Sequence, residues 1–405
     1  MSENLNVNLK QFDLFNPTDE HKMLRETVRD FVKNEIEPQA HEYDRKEQFN
    51  LPLFRKLGEL GLLGITSDVS CGGSGMDAIA ATIVHEEISA SDPGLGLAYL
   101  AHAMLCVNNL NQNASEEQKQ KWLPRLCSGE AVGAMGMSEP AVGTDVLRMQ
   151  MTAQKQGDHY ILNGRKMWIT NGTIDENQTP ADVILVYAKT GEKNGRAQIS
   201  SFVVEKGTPG YSVGQKIKDK LGMRASNTAE MVFDDCKIPA SNRLGEEGES
   251  LLHMMRNLEI ERLTLAAQAV GIARRSIEIM NRYASEREAF GKPLSYFGQI
   301  QKHIADSFAE YRAAKSYVYE VARKLDLSSE GNRMDSDGVK LFATTAAKNI
   351  ADRAIQTLGG YGYVGEYHVE RLWRDAKLLE IGGGTLEAHQ KNITRDLARA
   401  DGFEL

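Results

Sequence analysis

Residues 159–172 read HYILNGRKMWITNG, and the fold turns on how that stretch is understood. Two short runs rich in β-branched and aromatic residues, Tyr160-Ile161-Leu162 and Lys166 to Thr170, flank Asn163-Gly164. That dipeptide predicts a β-hairpin, because both central residues of the favoured two-residue turn take φ > 0. A second Asn-Gly at 171–172 predicts the next turn. The same texture recurs in DVILVYAKT (182–190), ISSFVVEKGTPG (199–210) and EMVFDDCKIP (230–239), so the chain is β from about Met137 to Pro239.

Outward from this region the periodicity becomes helical. Asn16-Pro17-Thr18 is a helix-start signature ahead of apolar Met23, Val28, Phe31 and Val32, and the pattern continues to about Cys127. Gly94 to Val107 (GLGLAYLAHAMLCV) carries no charge and is apolar on most faces, as suits a helix buried on several sides. Pro239 and the charged run from Gly245 to Glu249 close the β region, and helical patterns resume near Leu251. The order α, β, α predicts a multi-domain α+β protein: an N-terminal helical domain over 15–133, a central β domain over 134–246 and a C-terminal helical bundle over 247–405. No βαβ alternation supports a Rossmann sheet.

The 405 residues hold 48 Lys and Arg against 56 Asp and Glu, a net charge of −8, and no basic block able to follow a phosphate backbone, which argues against nucleic acid. Cys71, Cys106, Cys127 and Cys236 fall singly, so neither a disulfide framework nor a metal site is indicated, and a reducing interior is expected. The first twenty residues lack the apolar core of a signal peptide. The uncharged stretch from Pro93 to Val107 is shorter than the ~20 residues a membrane span needs. These features together predict a cytoplasmic protein without membrane insertion.

Three local features bear on chemistry. Gly360-Tyr361-Gly362-Tyr363-Val364-Gly365 matches GxGxxG, but it follows a helical pattern where the dinucleotide fingerprint needs a strand. It reads as a helix C-terminus ended by Gly359-Gly360, with a close approach to a ligand left open. In Asn257-Leu258-Glu259-Ile260-Glu261-Arg262-Leu263, helical spacing sets Glu261 on a stripe with Met254, Leu258 and Leu265. A carboxylate there is desolvated and becomes a stronger base, unless it pairs with an Arg at a domain junction. The run Ile381-Gly382-Gly383-Gly384-Thr385 precedes a final helix with Thr385 as N-cap. It offers backbone N–H groups to a carbonyl or phosphate, or is plain turn chemistry.

Taken in order, MSEPAVGTDV (137–146), KMWITNG (166–172), GMRASNT (222–228), REAFG (287–291) and QTLGGYGY (356–363) resemble the acyl-CoA dehydrogenase family, over about residues 15–400. The resemblance implies a helical, β and helical domain order, a homotetramer, FAD at the junction, and α,β-dehydrogenation of an acyl-CoA thioester. A glutamate takes the Cα proton, hydride leaves Cβ for the flavin, and electron-transfer flavoprotein carries the electrons away. Many members hold that base on the loop before the last helix, where this chain has Gly383. The isovaleryl-CoA and long-chain branches hold it in a Glu-Arg-Leu context, here Glu261-Arg262-Leu263. Glycines at 382 and 383 leave room for a branched acyl group. NLEIERL, DCKIPASNRLG and LLEIGGGT most resemble the isovaleryl-CoA branch, which implies conversion of isovaleryl-CoA to 3-methylcrotonyl-CoA in leucine breakdown.

The resemblance assigns further roles by position. Met135, Met137, Ser138, Gly143 and Thr144, with Trp168, Ile169 and Thr170, wall the isoalloxazine. Arg287, and Gln356, Leu358, Gly359 and Gly360 from a neighbouring subunit, hold the pyrophosphate and adenosine, and Thr385 and Glu387 also touch FAD. Without the motif, Arg287 reads as a surface salt bridge to Glu286 or Glu288. Thr144, Tyr187, Ala188, Leu252, Glu259, Arg262 and Gly382 line the acyl-CoA channel, and Gly383 gives its N–H to the thioester oxygen. Gly298 stands where members often carry Gln, leaving Gln299 and Gln301 as neighbouring candidates. Leu252 replaces an aromatic residue, and the stretch from Thr385 to Gln390 departs from Thr-Ser-Glu-Val-Arg-Arg. Two alternatives follow: a longer or methyl-branched, terpenoid-type acyl-CoA as substrate, and, from another class, a non-enzymatic nucleic-acid-binding flavoprotein. The base candidate and the acidic surface weigh against the second.

Overall fold

The computed structural model describes residues 13–328 and 331–399, so the end of the C-terminal range, 400–405, lies outside them. Thr18 caps the first helix by accepting from His21 N at 3.3 Å. The helices that follow are α1 (Asp19–Phe31), α2 (Glu37–Lys46), α3 (Leu51–Glu59), α4 (Ala78–Ser89), α5 (Pro93–Leu100), α6 (Asn109–Asn113) and α7 (Glu116–Cys127). Two π-helical segments, Val32–Ile36 and Ala101–Asn108, join α1 to α2 and α5 to α6. The uncharged stretch lies in the interior as its composition demands, every residue of α5 being buried.

The sheet comprises β1 (Gly133–Gly136), β2 (Thr152–Gln156), β3 (His159–Thr170), β4 (Val183–Lys193), β5 (Arg196–Glu205), β6 (Tyr211–Ile217), β7 (Thr228–Pro239) and β8 (Arg243–Leu244). Its order is β6-β7-β3-β2-β4-β5-β8, with β1 parallel to β4. The apolar run of β4 is buried on both faces. Val183, Leu185 and Tyr187 pack with Val107, Leu110 and Trp122 of the helical domain, while Ile184, Val186 and Ala188 pack with Tyr160, Phe202 and Phe233.

The backbone at 163–164 departs from the turn that its sequence predicts. Asn163-Gly164 makes no hairpin: β3 runs straight through it, and the reversal comes at Gly157-Asp158, where Gln156 pairs with His159. Gly164, at φ 145, sits in a β-bulge between β3 and β7, where a Cβ would come within 2.8 Å of Met151 Cα. Asn163 is held by Asp235 of β7, its Oδ1 accepting from Asp235 N at 2.8 Å. A bulge and a tight turn both recruit a glycine for unusual φ, so the dipeptide marks an irregularity without saying which.

The C-terminal bundle is built on α8 (Ser250–Glu286), followed by α9 (Gly298–Lys324), α10 (Arg333–Leu358), α11 (Gly360–Tyr363), α12 (Val369–Leu379) and α13 (Leu386–Leu397). From Leu263 to Ala273, α8 is wholly buried and shares one core with Ile83, Val84 and Ile88 of α4, Val318 of α9 and Ile350 of α10. Buried charges staple the two helical domains: Arg25 donates to Glu86 at 3.0 Å, Lys315 to Glu86 at 2.8 Å and Arg274 to Glu87 at 2.6 Å. The GxGxxG run begins where α10 ends at Gly359 and continues into α11, a helix-to-helix junction and not a strand-to-helix one.

Candidate active site

Glu261 lies in the wholly helical middle of α8, 7% exposed, with Met254 and Leu265 buried on its stripe. Its Oε2 is buried and, among the described residues, accepts no hydrogen bond. Burial pushes its pKa up to about 7, against the pull of Arg262 and Lys340. Among the described residues Glu261 forms no ion pair with an Arg at the domain junction: Arg262 turns instead to Asp337 of α10, Nη1 to Oδ1 at 3.0 Å.

The glycine loop meets this carboxylate directly. Gly383 has φ 65, and a Cβ built on it would lie 3.2 Å from Glu261 Oε1 and 2.3 Å from Leu265 Cδ1. A residue at 383 and the side chain of 261 therefore reach one place, so only one of them can carry a carboxylate into it. Gly382 N donates to Leu378 O at 2.8 Å, closing the turn after α12. Among the described residues the Gly383 N–H meets no acceptor.

The support under the loop is not legible in the sequence. Lys340, fully buried on α10, donates from Nζ to Leu379 O at 2.9 Å and Gly384 O at 2.7 Å. Burial pushes its pKa down to about 7, opposed by Glu261. His389 bridges Asp337 Oδ1 at 2.5 Å and Gly384 O at 3.0 Å. The only available signals were a lone Lys in the run GVKLFATTAA and His389 in a stretch that departs from the family pattern. Thr385 caps α13 by accepting from Ala388 N at 3.3 Å, and Glu387 is exposed in its first turn.

A second group surrounds Trp168, which has φ 64, lies in a bulge between Lys166 and Ile169, and is 62% exposed. A large indole held out in left-handed backbone is a costly arrangement, of the kind kept at ligand sites. Beside it, Met167 N donates to Ser138 O at 2.9 Å, which ties β3 to the loop after β1. Met137 and Ser138 are half-buried, Gly143 and Thr144 exposed, and Thr170 half-buried at the end of β3. Met135 and Ile169 are buried in the core, so Ile169 can offer a ligand only its backbone.

That loop is fastened by an internal ion pair. Lys166 Nζ lies 2.9 Å from Glu139 Oε1 and donates to Met137 O at 3.0 Å, while Glu139 accepts from Gln150 N at 2.6 Å and Met151 N at 3.0 Å. Lys166→Met leaves the Glu139 charge buried without its cation. The variant is expected to lose about 3 kcal/mol of stability, read as a lower urea midpoint at unchanged slope.

The remaining assigned residues divide. Tyr187 is buried, accepts from Asn109 Nδ2 at 2.9 Å and feels the Glu261 charge, which helps burial hold its phenol well above the usual range. Ala188 points to the opposite face of β4, into the sheet core, so it and Tyr187 do not line one pocket with their side chains. Glu259 lies almost opposite Glu261 around α8, and its carboxylate accepts from Asn332 N at 3.0 Å at the start of α10. It is not brought to the base. Leu252 is exposed near the start of α8. Arg287 is exposed and, among the described residues, forms no ion pair with Glu286, Glu288 or any other carboxylate. It lies beside the turn carrying Gln356, Leu358, Gly359 and Gly360, linked through Tyr283 and Tyr361 at 6.2 Å between ring centroids. Gln356, Gly359 and Gly360 are exposed and Leu358 buried, while Gln301 donates to Ser295 O at 3.0 Å.

Comparison with known proteins defines its class. Family models described as Acyl-CoA dehydrogenase, N-terminal, middle and C-terminal domain match residues 18–130, 134–236 and 251–398. Over 384 residues, 93% of this chain and 88% of the relative, the sequence is 44% identical to isovaleryl-CoA dehydrogenase, mitochondrial, of Pongo abelii. The solved butyryl-CoA dehydrogenase of Megasphaera elsdenii matches with a TM-score of 0.89 and 36% identity, covering 94% of this chain and 99% of that one. A glutaryl-CoA dehydrogenase of Mycobacterium smegmatis in complex with FADH2 matches at 0.88 and 30% identity, covering 98% of each chain. The chain belongs to the acyl-CoA dehydrogenase family. It is a flavin-dependent oxidoreductase acting on the CH–CH bond of an acyl-CoA. Among its described residues, no helix is long and apolar enough to cross a membrane.

Proposed function

We propose that this enzyme oxidises a short branched acyl-CoA, isovaleryl-CoA, to 3-methylcrotonyl-CoA in leucine breakdown, using FAD and passing electrons to electron-transfer flavoprotein. The observation that carries the reading is the unpartnered, buried carboxylate of Glu261 against a loop of three glycines. A base poised near neutral pH can take a Cα proton, and the Gly383 N–H can hold the thioester oxygen as negative charge develops there. Without side chains at 382 and 383, the loop gives a branched Cβ room that a loop carboxylate would fill. The Pongo abelii relative, by its name, acts on the same substrate.

The residues present suit FAD. The exposed face of Trp168 fits a ring system, and the unpaired Arg287 guanidinium fits a pyrophosphate. Met137, Ser138, Gly143, Thr144 and Thr170 would complete the ring wall, with Thr385 and Glu387 near it. The flavin, when bound, supplies the acceptor for the hydride that leaves Cβ. Arg287 lies roughly 40 Å along α8 from Glu261, which supports assigning Arg287 and Gln356 to Gly360 to the cofactor of a neighbouring subunit, in keeping with the homotetramer that the family resemblance implies. A reducing, cytoplasmic setting agrees with four free, buried cysteines.

Anaerobic titration of the FAD-loaded protein tests the substrate. Isovaleryl-CoA is expected to bleach the visible flavin band stoichiometrically, and faster than octanoyl- or citronellyl-CoA. A clear preference for the longer chains would replace isovaleryl-CoA by a longer or methyl-branched substrate while leaving the chemistry in place.

A further inference from the structure

Away from the glycine loop, a small, mostly enclosed cavity lies between α2, the residues before α5, the distal half of α8 and the start of α12. Glu37, His41, Ser91, Arg275, His368 and Arg371 line it. Arg371 is only 5% exposed; its Nη2 donates to Ser91 O at 2.7 Å, but its Nε and Nη1 are buried with no partner among the described residues. The Nδ1 atoms of His41 and His368 are also buried and unpartnered, and the two rings stand 4.7 Å apart. Buried polar atoms without partners are few in native proteins, and four around one cavity mark a place where something polar is bound.

The charges around the cavity indicate the sign of that ligand. Glu37, the lining carboxylate, is engaged by Arg275. Asp44 and Glu370, which also act on the imidazoles, are both taken by Arg374, at 2.9 and 2.7 Å. Two further acids, Asp92 and Asp375, feel the Arg371 charge. Asp92 accepts from Leu95 N at 3.0 Å and Asp375 from Met223 N at 2.5 Å, and burial pushes both pKa values up, that of Asp375 to about 7. Burial and the surrounding cations, Arg45, Arg275 and Arg371, hold both imidazoles below their usual range, His368 at about 4. His368 also keeps left-handed backbone, φ 61, at the N-terminus of α12.

We propose that this cavity binds a small tetrahedral oxyanion of the phosphate or sulfate class, held by Arg371 and Arg275 with His41 and His368. Its tight, enclosed shape suits a free anion better than a phosphate carried on a large molecule. Arg275 lies roughly 20 Å along α8 from Glu261, so the site is separate from the acyl-CoA chemistry. A bound anion links α2, α8 and α12 and so joins the N-terminal helices to the C-terminal bundle. It also favours the imidazolium forms, so binding tightens as pH falls toward the histidine range.

The test is thermal melting of the FAD-loaded, full-length protein near pH 6, in inorganic phosphate and in sodium chloride of equal ionic strength. Phosphate is expected to raise the melting temperature by about 2–4 °C over chloride, and by less near pH 8. Arg275→Gln and His368→Asn, both outside the catalytic machinery, should keep wild-type turnover and lose that rise. Asn tolerates left-handed backbone, which protects the fold of the second variant. Loss of the rise in either folded variant supports the site. No rise over chloride in the wild type, or an undiminished rise in both variants, overturns it.

Discussion

Glu261→Gln is expected to slow reduction of the bound flavin by substrate at least ~100-fold while leaving FAD and product binding nearly unchanged. The substitution is mild in every respect but one. The amide matches the carboxylate in shape, and because Oε2 accepts no hydrogen bond, no internal bond is lost with the charge. What disappears is the group that takes the Cα proton. Single-turnover rates measured anaerobically decide the matter, and a variant retaining more than about a tenth of the wild-type rate would remove Glu261 from that role.

The same carboxylate predicts a pH signature. Burial pushes its pKa up to about 7 in the folded enzyme, so kcat/KM of the wild type should rise with pH through that region as the base ionises. Stability runs the other way. A folded-state pKa above the unfolded value of 4.5 means that the stabilising, protonated form is fully populated below about pH 4.5 and is lost as pH rises through 7. Above pH 7, wild type therefore carries a cost of up to about 3 kcal/mol that Glu261→Gln lacks. The inactive variant should melt higher than the active enzyme in mild alkali and alike in acid, as expected where activity requires a destabilised group.

Residue patterns exposed some parts of this site and concealed others, for physical reasons. The burial of Glu261 is legible because helical spacing alone puts it among Met254, Leu258 and Leu265, and the open glycine loop because three adjacent glycines advertise free N–H groups, but only the family resemblance joins the two into one candidate site. Both signals are local. Lys340, Asp337 and His389 are scattered over α10 and α13, and nothing in the period of either helix says that Lys340 and His389 meet at Gly384 O with Asp337 holding the imidazole. The buried Lys166–Glu139 pair is hidden in the same way, since neither residue's sequence neighbours show that its charge turns inward until β3 is laid against the loop after β1. Asn163-Gly164 failed for another reason: the strand pairs with β7 as well as β2, and this tertiary pairing uses the glycine for a bulge. The alternation of helical and β thirds survived because long stretches of period average over such local exceptions.

Lys340→Met is expected to do two separable things to catalysis. Lys340 supports the glycine loop from below through Leu379 O and Gly384 O, so without it, among the described residues, Leu379 O has no donor and Gly384 O keeps only His389. The loop that positions the Gly383 N–H loosens, and turnover should fall about tenfold even at pH values where the base is fully ionised. Lys340 is also a cation beside Glu261, one of two groups that hold the carboxylate's pKa down against burial. Its removal should carry the acid limb of the kcat/KM profile upward by about one pH unit, adding up to a further tenfold loss near pH 7. Since Lys340 itself titrates near 7, the two groups share their protons, and the limb belongs to the pair in wild type and to Glu261 alone in the variant. The plateau rate at high pH reports the loop and the limb position reports the charge. A lowered plateau with an unmoved limb would leave Lys340 as a support alone, whereas a moved limb with a full plateau would show that His389 and Asp337 suffice to hold the loop.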